Sequence, residues 1–145
     1  MKIPMKVDYA VRALLELADA QGNRATQSAD IAQRWNIPAQ YLDQLLTTLR
    51  KAGLVTSVRG PQGGHTLARP AASITVSQVL EALEGPFHPA DCLEDTARCT
   101  FSRACSIQQL WQEVEVAVSD VLTGVTIEDL ARKQATLSRP AMYYI

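Results

Sequence analysis

Aromatic residues are scarce, at 6% of 145 residues, and histidine is scarcer, with two. No apolar run approaches the roughly 20 residues of a membrane span, and mean hydropathy is −0.05, so an integral membrane protein is excluded. Three cysteines are an odd number and too few for the disulfide framework of a small secreted domain. Seven glycines and seven prolines exclude a collagen-like fibre. The opening stretch MKIPMKVDYAV places Asp8 and Arg12 inside its first apolar pattern, unlike a secretory signal, so a cytoplasmic location is expected. The histidines stand at 65 and 88, and no Ser/His/Asp or paired-carboxylate constellation appears, so neither an enzyme nor a small-molecule substrate is expected.

What remains is a chain of one-domain length with 47% hydrophobic residues, enough to bury a core without disulfides. Its net charge of −1 conceals an asymmetry. Residues 1–70 carry nine Lys/Arg against five acids, whereas residues 71–145 carry five against ten. A basic first half is an electrostatic footprint for an anionic partner.

Apolar periodicity predicts a helix from Met5 to Ala20 ending at Gly22, and a second from Ser28 to Trp35. Asn36-Ile37-Pro38 breaks the pattern, and Pro38 suits the first turn of a third helix that buries Leu42, Leu45, Leu46 and Leu49 and stops at Gly53. Two β-rich stretches, 54–58 and 65–68, flank a Gly/Pro turn and predict a hairpin. Thr75-Val76-Ser77-Gln78 is a capping-box pattern opening a helix to Glu84. Residues 86–106 lack periodicity and are expected to be a loop. A long helix from Ser106 to Leu122 then presents a stripe of Ile107, Leu110, Trp111, Val114, Ala117, Val118 and Val121. Thr126 caps a last short helix, and Leu137 onward is expected to be a tail.

Three helices followed by a hairpin is the winged helix-turn-helix order, in which the third helix enters the major groove. The expected class is mainly α with a small β-hairpin wing. A DNA-binding domain over 1–84 leads to a cysteine-containing, cluster-binding loop at 85–106, then to a dimerisation helix and short helix over 107–133 and a tail over 134–145. The long helix can fold back on its own domain or pair with a twin. The need to span two half-sites favours a homodimer on a palindrome-like double-stranded operator.

Side chains of the third helix that face away from its apolar stripe are Gln40, Tyr41, Asp43, Gln44, Thr47 and Thr48. Gln can contact adenine bidentately and Asp can accept from cytosine N4. Arg50 and Lys51 at its end suit phosphates or the helix dipole. In the hairpin turn, Gly60, Gly63 and Gly64 permit close backbone approach, and Arg59 suits a narrow minor groove. No Lys-Ser/Thr follows at Walker spacing, which disfavours nucleotide binding.

Cys92, Cys99 and Cys105, spaced C-x6-C-x5-C, are too widely set for a zinc knuckle. Soft thiolates suit an iron–sulfur cluster, with a fourth ligand from elsewhere. Zinc and thiol redox sensing remain as alternatives. Arg98 and Arg103 would offset thiolate or cluster charge.

KVDYAVRALLELA, DIAQRWNIPAQYLDQLLTTLRKAGLVTSVRGPQGGHTLARP and ITVSQVLEALEG, followed by three cysteines and a long amphipathic helix, resemble the BadM/Rrf-type winged-helix regulators. The similarity runs from about residue 2 to 133. The resemblance implies a homodimeric bacterial DNA-binding repressor, controlled in many members by a redox-active cluster that senses redox state, nitric oxide or iron status. It implies Gln40, Tyr41, Asp43, Gln44 and Arg59 as DNA readers and Cys92, Cys99 and Cys105 as cluster ligands. The first cysteine gap is one residue longer here than in two such members. Where one branch has a histidine ligand three residues after the last cysteine, this chain has Gln108. Another branch uses an aspartate of the first helix, matched here by Asp8. That match favours Asp8 as fourth ligand, reaching across the dimer, and 4Fe–4S over 2Fe–2S. The alternative for Asp8 is an acid placed near the helix's positive end. The alternative function is a cluster-free regulator sensing through thiol oxidation or a protein partner.

Overall fold

The computed structural model describes residues 2–20, 24–101 and 104–140. The expected stop at Gly22, the Arg103 side chain and the last five residues of the tail lie outside them.

Helix α1 runs Met5–Asp19, α2 Ser28–Trp35 and α3 Ala39–Lys51. Strands β1 (Val55–Val58) and β2 (Gly64–Leu67) form an antiparallel hairpin, with Ser57 opposite His65 and Val58 opposite Gly64. Helix α4 (Val76–Glu84) is followed by two short turns, α5 (Asp91–Glu94) and a 3-10 turn over Thr96–Arg98. Helices α6 (Ser106–Gly124) and α7 (Ile127–Leu137) complete the order.

Three local expectations need correction. Pro38 stands at the N-cap of α3 with ψ 125° instead of inside its first turn, two residues after the left-handed Asn36 that ends α2. The stretch 86–106 is not a featureless loop. Asp91 opens α5, Asp95 closes it and caps the start of the 3-10 turn, and the Asp95 carboxylate accepts from the Ala97 N–H at 3.0 Å. The last helix continues to Leu137, since nothing between 127 and 137 breaks it and the Arg132–Glu128 pair (2.8 Å) supports its turns.

The core gathers Ala10, Ala13, Leu14 and Leu17 of α1, Ile31 of α2, Leu42, Leu46 and Leu49 of α3, Leu54, Val55, Ile74 and Val79. It also includes Ile127, fully buried at the start of α7. The core therefore crosses the expected boundary at residue 84. Two segments meet in a short antiparallel bridge between Thr75 and Thr126, where the Val76 N–H donates to Val125 O (3.0 Å) and the Ile127 N–H to Ile74 O (2.8 Å). Each threonine heads its own capping box, Thr75 with Gln78 and Thr126 with Asp129. The backbone and hydroxyl of Thr126 hold the Asp129 carboxyl below its ordinary range. Between these pinned ends, the cysteine segment and α6 form one long excursion from the core.

Candidate nucleic-acid interface and cysteine segment

Burial divides α3 into two faces. Leu42, Leu45, Leu46 and Leu49 are buried, while Gln40, Asp43, Gln44, Thr47 and Arg50 are exposed. The Thr47 and Thr48 hydroxyls donate back to the carbonyls of Asp43 (2.9 Å) and Gln44 (3.2 Å). The amide of Gln44 and the carboxylate of Asp43 make no such internal bond among the described residues, so they project as a donor–acceptor set. Tyr41 is differently employed. Its ring meets that of Tyr9 edge-on, with centroids 5.9 Å apart, and is half-buried against α1. Arg12 lies over the Tyr9 ring at 5.7 Å and pairs with Asp8 at 2.7 Å. Asp8 is thus joined through Arg12 and Tyr9 to the third helix, a relation invisible in their spacing.

Beside α3 stands the hairpin. Arg59 is exposed at its tip, and the turn closes through the Gly63 N–H donating to Gly60 O at 2.9 Å. The glycines meet an internal demand. A Cβ on Gly63 would lie 2.2 Å from Val58 O, and one on Gly64 2.5 Å from Thr26 O. Gly64 also has φ +150°, a conformation that side chains rarely adopt. Thr26 enters the sheet as a third, one-residue strand, exchanging hydrogen bonds with His65 (2.9 and 2.8 Å). The sequence carried no signal for this bridge.

Cys92, Cys99 and Cys105 are free thiols, each partly exposed. Cys92 lies in α5, Cys99 follows the 3-10 turn and Cys105 caps α6, its sulfur accepting from the Gln108 N–H at 3.4 Å. Gln108, noted in the sequence as the residue at one branch's histidine-ligand position, is buried. Its Nε2 donates to Cys92 O at 3.3 Å. One residue therefore ties both ends of the cysteine segment to the first turn of α6, Cys105 through its backbone N–H and Cys92 through its side-chain amide. His88 is held by Glu115 of α6 and is committed to that contact. Among the described residues, no three His, Cys, Asp or Glu side chains gather where a metal ion could sit. As placed, the three cysteines and Asp8 do not form a ligand set.

Ile107, Leu110, Trp111 and Val121 are exposed on one face of α6 and Val116 on the opposite side, whereas Val114 and Val118 of the expected stripe are half-buried. No described helix is long and apolar enough to cross a membrane.

The family model described as "Rrf2: Iron-dependent Transcriptional regulator" matches residues 3–133. The chain belongs to the Rrf2 family. Within it, the chain is 37% identical over 145 residues to the transcriptional regulator CymR of Bacillus subtilis, covering the whole of both. It is 36% identical to the regulator IscR of Vibrio campbellii over 94% of this chain and 81% of that one. Two solved structures share the fold. That of CymR, described as the global cysteine regulator of B. subtilis, has a TM-score of 0.78 at 38% identity, covering 92% of this chain and 98% of that one. That of T. potens IscR has a TM-score of 0.78 at 32% identity, covering 99% and 97%. The Rrf2 assignment agrees with the winged-helix reading, and this family member is a transcriptional regulator, not an enzyme.

Proposed function

We propose that the chain is a dimeric, operator-binding regulator that reads DNA with α3 and the wing, and whose cysteine segment is its input. The observation that carries the reading is the division of α3. Four leucines anchor it, while Gln40, Asp43 and Gln44 stand free beside a hairpin tipped by Arg59. A helix so anchored presents amide and carboxylate groups to base edges, and an arginine one turn away meets the minor groove. Arg50 and the backbone at Gly60, Gly63 and Gly64 are then phosphate-side neighbours.

The α6 apolar face is assigned to a second copy of the chain. Ile107, Leu110, Val114, Ala117 and Val121 alternate spacings of three and four, the seam of a paired helix. A dimer on that seam supplies the two recognition helices that a palindrome-like operator requires.

For the input, the thiolate set Cys92, Cys99 and Cys105 has the chemistry of an iron–sulfur site, with Asp8 as an oxygen ligand and 4Fe–4S ahead of 2Fe–2S. Such a site would have to gather side chains that stand apart here. When bound, a cluster supplies redox chemistry to the segment. The protein's part is mechanical, because Gln108 binds the segment to α6 at Cys92 and Cys105. Any change at those cysteines is therefore felt at the first turn of α6. A second reading, direct thiol oxidation without a cluster, is favoured by the separation of the ligands and is compatible with the similarity to CymR, described as a cysteine regulator.

The test has two parts. A duplex selected from a random pool should be bound with a steep salt dependence, about −0.9 in log–log slope per phosphate neutralised. Salt-insensitive retention, or no retention of any duplex, refutes the DNA reading. Anaerobically purified protein with iron and acid-labile sulfide bears out the cluster. Metal-free protein whose DNA affinity changes on thiol oxidation bears out the second reading.

A further inference from the structure

His65 sits where the wing meets the recognition helix. Its backbone is shared between two neighbours, Ser57 of β1 on one side and Thr26 on the other. Its Nδ1 and the Ser57 hydroxyl form a hydrogen bond of 3.3 Å. Alternation along β1 places Ser57 on the same face as the buried Val55, and β1 packs on α3. His65 is half-buried in the resulting crease. Its surroundings are the Ser57 hydroxyl from β1, the Thr26 backbone from the segment before α2, and the charges of Asp43 and Arg50 from α3.

We propose that His65 is a proton-linked joint between recognition helix and wing, taking up a proton when the protein closes on the phosphate backbone. The inference rests on the docking of α3 and the wing proposed above. In the free protein, burial holds His65 below the ordinary imidazole range; Asp43 opposes that effect and Arg50 adds to it. The ring is therefore neutral near pH 7. A duplex lodged between α3 and the wing brings phosphates to this crease. Their charge cancels the field of Arg50 and adds to that of Asp43, and both effects favour the imidazolium. The His65 ring then carries a positive charge that it lacks in the free protein.

The sign follows from linkage. Because the bound state holds more protons, operator affinity rises as pH falls from the bound-state pKa to the free-state pKa and is level outside that window. Within it the affinity per protomer changes by at most about tenfold per pH unit, the limit for one proton.

The measurement is calorimetry of the full-length protein with a duplex selected from a random pool. Buffers of different ionisation enthalpy are compared between pH 6 and 8. Uptake approaching one proton per protomer is expected for the unmodified protein and for His88→Gln, and none for His65→Gln. Undiminished uptake in His65→Gln, or none in the unmodified protein, overturns the proposal while leaving DNA binding intact. Failure to bind any duplex overturns both readings. Should His65→Gln not fold, imidazole titration by NMR in the unmodified protein decides. A midpoint raised by the duplex supports the joint, and an unmoved one refutes it.

Discussion

In the proposed reading, Gln44 and Arg59 divide the labour of recognition by chemistry. Gln44→Ala removes a bidentate partner and should cost about 1–3 kcal/mol while relaxing preference at one base pair. Arg59→Ala should weaken binding mainly at A·T-rich flanks, where a narrow minor groove concentrates negative potential. Competition between duplexes substituted at single positions distinguishes the two. Gly64 makes a different prediction. Its φ of +150° and the approach of Thr26 O leave no room for a methyl group. Gly64→Ala should therefore open the Thr26–His65 bridge, lowering stability by about 1–3 kcal/mol, the usual range for local backbone strain. Thermal unfolding and loss of amide protection at His65 would register it.

At the level of elements, the strongest signals were those with a local cause. Thr75 and Gln78 are close enough in sequence to declare a capping box, and the leucines of α3 to declare a buried face. Turns held by single residues, such as Asp95 with Ala97, carry no period and so were missed. The Thr26 bridge and the Tyr9–Tyr41 contact depend on partners distant in the chain, which no window of sequence contains. The candidate site followed the same rule. The polar face of α3 was legible, but the internal demand on Gly63 and Gly64 was not. Helix α6 offers a test at this scale. Half-burial makes Val114 and Val118 ambiguous probes, whereas Leu110 and Val121 are exposed. Leu110→Asp with Val121→Asp should leave each protomer folded. It should also remove about 1.5–3 kcal/mol of burial per side chain from the paired state. Sedimentation should then report monomers, and affinity for a palindromic duplex should fall to that of a half-site. A monomeric unmodified protein would refute the assignment.

Considered as a whole, the molecule joins its winged-helix core to its cysteine segment through a pair of ties. Gln108 fastens the cysteine segment to α6, and the Thr75–Thr126 bridge fastens the far end of α6 to the core. Ile127 makes the second tie energetic, since it is fully buried in the core and its helix packs on α1. Ile127→Ala should destabilise the DNA-binding core by about 2–5 kcal/mol, the range for a large-to-small change in a packed interior. Chemical denaturation should show one cooperative transition shifted as a unit. A separate early transition of the C-terminal helices would contradict this account.

The bridge has a consequence in time. A growing polypeptide leaves the ribosome from its N-terminus, and domains fold as their parts emerge. Here α3 and the wing appear early, but the cavity reserved for Ile127 stays open until α4, the cysteine segment and α6 have been made. Contacts between such distant residues are slow to close. Until Ile127 is made, the winged-helix core lacks one of its fully buried side chains, so its last increment of stability arrives only after α6 has been synthesised.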